Sequence, residues 1–246
     1  MGRAARAARG APGRGPAPVT LALPKGRILE EALALFARAG YDLRALHRPG
    51  RRLIFDLPED GLRVILVKDL DVPTYLDYGA ADAGIAGRDV IEEQGFDLYE
   101  PLDLGLGRCR LVLAEPIDRP VDERAAIHLR IATKYPQLTR RWLDERGQSA
   151  EVIKLFGSIE LAPAAGLCDR LVDLVQTGET LRQHRLREVT TLLAVTARLV
   201  VNRASLKLKA GPLSDLVRRL AAAVAAPASA RRPAACATPR PWCASG

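Results

Sequence analysis

Short apolar runs alternate along this chain with longer segments whose apolar residues recur every three or four positions. The first run covers residues 19–23. A helical pattern follows from Pro24 to about residue 39, with Ile28, Leu29, Ala32, Leu33 and Phe36 on one face and Gly40 as its stop. Strands are predicted at 52–56 and 63–67, separated by the turn Pro58-Glu59-Asp60-Gly61. Asp71 is placed to cap a helix that has Pro73 in its first turn and ends before Gly79. A strand at 82–86 turns at Gly87 and Arg88 into a helix over 89–94. Further strands are predicted at 110–114, 129–133, 152–156, 170–175, 189–193 and 197–202. Further helices are predicted from Pro136 to near Gly147, from Ile159 onward, in a short segment after the turn at 176–180, and over 212–224. This alternation predicts an α/β fold with largely parallel sheets, and the proline-bearing loop at 115–126 is a candidate domain boundary.

Composition narrows the function classes. The 246 residues suffice for one large or two small domains, and 48% hydrophobic with 27% charged residues is the make-up of an ordinary globular protein. The net charge of +8 invites a nucleic-acid reading, but its distribution removes it. Arg3, Arg6, Arg9 and Arg14 lie in the first 18 residues and Arg231, Arg232 and Arg240 in the last 20, with no acid in either stretch. Setting those seven aside leaves 30 basic against 29 acidic residues. A nucleic-acid protein carries its basic surface on the folded domain, so no such partner is expected. Residues 1–18 and 227–246 read as disordered extensions. No run of 18 apolar residues is present, so no membrane span is expected. Cys109, Cys168, Cys236 and Cys243 have neither zinc spacing nor a disulfide framework, which points to a cytoplasmic protein. His47, His128 and His184 form no metal-ligand cluster, and neither a P-loop nor a nucleophile elbow is present.

The chemistry concentrates where predicted strands end. In Asp173-Leu174-Val175-Gln176-Thr177-Gly178-Glu179-Thr180, an apolar strand carrying an aspartate runs into a Thr-Gly-x-Thr turn. Backbone N–H groups and two hydroxyls there suit an anion, and Gly178 allows a close approach. Asp173 could accept hydrogen bonds from ribose hydroxyls or approach a metal. The same segment also serves as a polar turn capped by Thr180. Gly157-Ser158-Ile159-Glu160 and Gly84-Ile85-Ala86-Gly87-Arg88-Asp89 are two further strand exits of this kind, where open α/β sheets bind ligands. Pro24-Lys25-Gly26-Arg27 and Arg51-Arg52 are basic clusters whose arginines suit phosphate oxygens, although Arg52 reads as a solvated charge.

Together, Leu23-Pro24-Lys25-Gly26-Arg27, Asp71-Val72-Pro73, Gly84-Ile85-Ala86-Gly87, Arg130-Ile131-Ala132-Thr133-Lys134-Tyr135-Pro136, Gly157-Ser158-Ile159-Glu160-Leu161-Ala162-Pro163 and the segment 173–181 resemble the ATP phosphoribosyltransferases, in that family's order, over residues 19–224. The resemblance implies a two-domain fold like that of periplasmic binding proteins, with the active site in the interdomain cleft. Domain I would comprise 19–109 and 197–226, and domain II, which binds phosphoribosyl pyrophosphate (PRPP), 110–196. It implies a PRPP site of Gly157, Ser158, Glu160, Asp173, Thr177, Gly178, Glu179 and Thr180. Arg27 and Arg51 would be the catalytic residues, and Lys25, Arg27, Asp69, Gly87, Arg88 and Asp89 would seat ATP or the pyrophosphate. Mg²⁺ would be carried by the substrates rather than by a set of direct protein ligands.

The implied reaction is displacement of pyrophosphate from C1 of the ribose by adenine N1, the first step of histidine biosynthesis. The nucleophile belongs to the substrate, which agrees with the lack of a protein nucleophile motif. The family pattern stops near Val224, and the remaining tail lacks the periodic apolar residues of a regulatory domain. This resembles the short form, for which a separate histidyl-tRNA-synthetase-like regulatory subunit and a homodimer of catalytic chains are expected. Two rivals stay open at this level: a non-catalytic binding module of the same fold, and a PRPP-dependent transferase with another acceptor.

Overall fold

The computed structural model describes residues 17–122 and 128–226. The expected disordered extensions, 1–18 and 227–246, lie outside the described residues except for 17 and 18.

Two sheets organise the chain. The first contains β1 (Val19–Pro24), β2 (Ile54–Leu57), β3 (Leu62–Val67), β4 (Ala83–Gly87), β5 (Tyr99–Asp103) and β11 (Ala197–Val201), in the order β2-β3-β1-β4-β11-β5. The second contains β6 (Cys109–Pro116), β7 (Arg130–Thr133), β8 (Glu151–Lys154), β9 (Arg170–Val175) and β10 (Leu186–Val195), in the order β10-β6-β9-β7-β8. Largely parallel sheets were the expectation, and the sheets are mixed. Only four of the nine strand pairings are parallel, namely β1 with β3 and β4, and β7 with β8 and β9. The physical reason is the chain path. A parallel step needs a long crossover, whereas β2–β3 is joined by a short turn, and β11 returns from the other sheet to run antiparallel to both β4 and β5.

Helices cover both faces of each sheet. In the first, α1 (Arg27–Arg38) and α7 (Ala210–Ala225) pack on one face, where Leu29, Leu33 and Phe36 meet Leu213, Leu216 and Leu220 over Leu21, Leu23 and Ile85. On the other, α2 (Val72–Asp77) and α3 (Arg88–Gln94) bury Val72, Leu76 and Ile91 against Ala22 and Val200. Adjacent residues of β1 thus serve opposite cores, which is why the strand is apolar throughout rather than alternating. Each such leucine contributes about 1.5–3 kcal/mol by leaving water. In the second sheet Leu111 and Leu113 face α4 (Pro136–Asp144), while Val112 and Ala114 face Ile159, Cys168 and Leu181, the last on α5 (Glu179–Gln183).

Gly84 is required by this packing. A Cβ there would lie 2.7 Å from the Ala22 carbonyl oxygen and 2.9 Å from Val72 Cγ1. The close approach of β4 to β1 and α2 leaves room for nothing larger.

Other differences from the sequence pattern have local causes. The helix expected from Ile159 is a single 3₁₀ turn, Ile159–Leu161. Asp71 makes no side-chain cap bond at the start of α2. β5 was not expected, because Pro101 and the flanking acids hide it; it pairs only with β11, at the sheet edge. Helix α6 (Arg203–Leu208) was also not expected. It is polar, and it is fixed by side chains rather than by an apolar face. Asn202 Oδ1 accepts the Ser205 N–H at 2.8 Å, and buried Asp82 takes hydrogen bonds from Ser205 Oγ at 2.7 Å and Lys209 Nζ at 2.5 Å. The chain passes between the sheets twice, at residues 104–108 and at Thr196. The two passages lie side by side, with the Leu104 N–H donating to the Ala197 carbonyl at 3.0 Å and the Ala197 N–H to the Leu106 carbonyl at 2.9 Å. No helix among the described residues is long and apolar enough to cross a membrane.

Candidate active site

The exits of the parallel strands gather the residues singled out by sequence. β1 leads into Lys25-Gly26-Arg27, β3 into Lys68 and Asp69, and β4 into Arg88 and Asp89. On the second sheet β7 leads into Lys134, β8 into the Gly157-Ser158 turn, and β9 into 176–180. The two groups of turns meet: the Arg27 guanidinium donates a hydrogen bond to Gln176 Oε1 across a separation of 149 residues.

The β9 turn forms a cavity of about 280 Å³ lined by Glu160, Asp173 and residues 174–181. Gly178 stands at φ +79°, a left-handed conformation that L side chains adopt at a cost. The Thr177 hydroxyl accepts the Glu179 N–H at 3.4 Å. Thr180 lies inside α5 and Gly178 takes the N-cap position, so the alternative of Thr180 as the cap is not what forms. With only five residues in α5, a helix dipole contributes little here. Anion binding must come from the turn's own N–H groups and hydroxyls. Glu179, which also lines the cavity, pairs with Arg182 at 2.5 Å and Gln183 at 3.3 Å.

Asp173 is half-buried beside this turn. Burial pushes its carboxyl above the ordinary aspartate value, against the Leu174 N–H, which donates to Oδ1 at 2.8 Å, and against the charge of Lys134, while Glu160 adds to the rise. Lys134 is the residue that sequence reasoning missed as a site candidate. It sat in a quoted motif, and the β7–β9 register, with Thr133 opposite Val172, brings it to the level of Asp173. Ser158 holds φ +50°, unusual for a serine, and makes no helix-cap bond, so the strain belongs to the turn itself.

On the first sheet, Lys25, Gly26 and Arg27 line a second cavity of about 380 Å³ whose floor is Leu29, Leu46, Leu53 and Leu66. Arg52 lines it as well, and Arg51 does not. The Arg52 guanidinium donates to the Ile54 carbonyl at 2.7 Å and stacks 4.9 Å over the Phe55 ring, so it is structurally committed. Arg88 is tied to Glu92 at 2.6 Å. Asp89, read from sequence as a nucleotide contact, is 3% exposed and lies beside Tyr135, which is 4% exposed. Burial raises the Asp89 carboxyl, and the Tyr135 hydroxyl and local N–H groups oppose the rise. Asp69 is exposed at the β3 exit, and its charge reaches both Asp89 and Tyr135.

Comparison with known proteins shows which family the chain is similar to. A family model described as ATP phosphoribosyltransferase (HisG) matches residues 68–222. The ATP phosphoribosyltransferase of Geobacter metallireducens is 50% identical over 204 residues, covering 82% of this chain and 96% of that protein. The enzyme of Acidithiobacillus ferrooxidans is 48% identical over 209 residues, covering 84% of this chain and 97% of that protein. Among solved structures, a chain of the Thermotoga maritima ATP phosphoribosyl transferase (HisG:HisZ) complex superposes with a TM-score of 0.73 at 32% identity, covering 84% of this chain and 98% of that one. The alkanesulfonate-binding protein SsuA of Xanthomonas axonopodis pv. citri superposes with a TM-score of 0.52 at 16% identity, covering 86% and 74%, which shows a shared two-domain binding-protein fold.

Proposed function

The chain belongs to the ATP phosphoribosyltransferase family, and from that premise we propose a role for each turn around the cleft. The chain joins ATP to PRPP, giving N1-(5-phosphoribosyl)-ATP and pyrophosphate, the opening step of histidine biosynthesis. The observation that carries the assignment of roles is the meeting of Arg27 with Gln176, which sets a basic turn of the first sheet against the Thr-Gly-x-Thr turn of the second.

In this reading Thr177, Gly178 and Thr180 hold the 5-phosphate, Asp173 and Glu160 face the ribose, and Gly157 and Ser158 close the far side. Glu179 shapes the turn through Arg182 rather than touching the ligand. Arg27 and Arg51 are the catalytic residues, neutralising the pyrophosphate as the C1–oxygen bond breaks. Arg51 is exposed and does not line the basic cavity. Lys25, Asp69, Gly87 and Arg88 form the nucleotide side, and Asp89 acts through Tyr135. Positioned charge of this kind supplies on the order of 2–4 kcal/mol per interaction, and alignment of two substrates supplies more. The domains follow the chain path, domain I being 19–109 with 197–226 and domain II 110–196.

A divalent cation, proposed to be Mg²⁺, would lower the charge of the polyphosphates. The carboxylates of Asp173 and Glu160 line one cavity and are the hard oxygen donors that such an ion accepts. No group of three or more His, Cys, Asp or Glu side chains able to hold a metal occurs among the described residues, so most ligands would come from phosphate. The partner is a histidyl-tRNA-synthetase-like regulatory subunit, a reading supported by the HisG:HisZ complex of the solved relative. A homodimer of catalytic chains and a cytoplasmic location complete the proposal. Pyrophosphate release on mixing the chain with ATP, PRPP and Mg²⁺, with and without the regulatory subunit, tests it. Release requiring both substrates supports the assignment, and none under any condition would leave a binding module.

A further inference from the structure

The acids of α3 reach across to the start of α4. Asp89, Glu92 and Glu93 are spaced so that they share one side of a helix. The Glu93 carboxylate accepts the backbone N–H of Gln137 at 3.0 Å and of Leu138 at 2.9 Å. These are two of the donors that the first turn of any helix leaves without an internal partner. α4 has no cap of its own, since Tyr135 at the N-cap position makes no side-chain cap bond. Its cap therefore comes from the other sheet's helix. Glu92 bridges Arg88 Nε, at 2.6 Å, and the Arg141 guanidinium of α4. Asp89 and Tyr135 are buried side by side. Tyr135 is further fixed by its N–H, which donates to the fully buried Thr133 Oγ1 at 2.9 Å. Between Thr133 and Tyr135 stands Lys134, just beyond the point where Thr133 pairs with Val172, the neighbour of Asp173.

We infer that Asp89 and Glu93 are positioning residues for the PRPP side: by capping α4 and packing against Tyr135, α3 fixes the segment that carries Lys134, which follows Thr133 where β7 pairs with β9 beside Asp173, and ties the β4 turn to the phosphoribosyl pocket. The inference rests on the reading of the Asp173 turn given above. Without its cap the first turn of α4 frays, and residues 133–138 lose their fixed place. Lys134 then no longer offsets the buried charge of Asp173, and the pocket must be reorganised each time PRPP binds.

The test uses the full chain assembled with its regulatory subunit, in the variants Glu93→Ala, Tyr135→Phe and Glu93→Gln, the last keeping an oxygen that accepts. Two readouts are taken: kcat and KM for each substrate, and amide hydrogen exchange at residues 134–138. In Glu93→Ala and Tyr135→Phe, kcat/KM for PRPP should fall on the order of tenfold to a hundredfold, the cost of misplacing a reacting group. KM for ATP should change by no more than about twofold. In Glu93→Ala exchange at 137 and 138 should quicken, and Glu93→Gln should recover most of both effects. Faster exchange with an unchanged kcat/KM for PRPP would make α3 a structural cap only and overturn the inference. A rise in KM for ATP alone would also overturn it, marking the Asp89 turn as a nucleotide contact. If the wild type releases no pyrophosphate, the transferase reading fails separately. Calorimetry with ribose 5-phosphate then decides the clamp: weaker binding in Glu93→Ala supports it, and equal affinity refutes it.

Discussion

Arg27, at the first turn of α1, donates a hydrogen bond to Gln176, in the turn that leaves β9, so the two walls of the cleft touch through a charged side chain before any substrate arrives. A guanidinium held by a neutral amide is easily surrendered to phosphate oxygens, which offer two charged acceptors in the same fork geometry. Arg27→Ala should therefore lower kcat by on the order of 10²–10³-fold, the usual cost of losing one group that stabilises developing charge. Gln176→Ala removes only the resting partner, and its effect should fall mainly on KM. Steady-state pyrophosphate release measures both. An Arg27→Ala enzyme with unchanged kcat would remove Arg27 from the leaving-group side.

Asp173 sets a pH dependence whose sign follows from its burial. Its carboxyl lies above the ordinary aspartate value, so the ionised form, which can accept from ribose hydroxyls, is lost as pH falls through that raised value. The rise in KM for PRPP on the acid side should begin above the range of ordinary carboxylates, and Asp173→Asn should abolish that limb along with most activity. Stability moves oppositely. The folded state holds this proton where the unfolded chain has released it, so stability present below the unfolded value is lost as pH rises through the folded one. Asp173→Asn should then melt higher than wild type near neutral pH, a site residue trading stability for function. A variant that melts lower would show that the buried charge is compensated.

Gly84 measures how tightly β4 is pressed into the first sheet. The Cβ of an alanine would meet the Ala22 carbonyl at 2.7 Å, and a backbone oxygen cannot swing aside as a long side chain can. Gly84→Ala should cost about 1–3 kcal/mol by overpacking. It should also displace the β4 exit and so weaken ATP more than PRPP. Urea unfolding and the two KM values separate these effects.

Much of this arrangement was legible in the sequence, and the exceptions share a cause. β1, β3, β4, β7 and β9 announce themselves as apolar runs because helices bury them on both faces. Their exits carry the Lys25–Arg27, Gly87–Asp89 and Thr177–Thr180 turns, so the strand ends and the candidate site residues were read together. Edge strand β5 and helix α6 were missed because polar bonds to residues distant in the chain, not periodic apolar burial, hold them. The actual surroundings of Asp89 were hidden for a similar reason. Its neighbour, Tyr135, stands at the start of α4 on the other sheet's side, and nothing local to Gly87-Arg88-Asp89 indicates whether that aspartate is exposed or buried. Parallel and antiparallel neighbours likewise depend on where the chain recrosses between sheets, which local periodicity does not encode.

Glu115 offers a test of what holds the second sheet away from the cleft. Its side chain is 1% exposed and meets Arg170, itself 5% exposed, at 2.8 Å, with Arg187 at 2.6 Å on the other oxygen. Burial pushes the Glu115 carboxyl up, but hydrogen bonds from Arg187 and Arg170 outweigh it and leave the carboxyl below the ordinary glutamate value. A group depressed in this way contributes stability above its unfolded value and loses it as pH falls through the folded one. Glu115→Ala should cost about 3 kcal/mol, because it removes a buried carboxylate that Arg170 and Arg187 share. The loss should be largest near neutral pH and shrink toward acid, where wild-type Glu115 is itself protonated. Since the triad sits at the ends of β6 and β9 farthest from the Thr177 turn, kcat should hold at temperatures where the variant remains folded. Urea midpoints taken across the acid range decide the matter, and a variant whose deficit is the same at every pH would show that Glu115 acts through packing rather than charge.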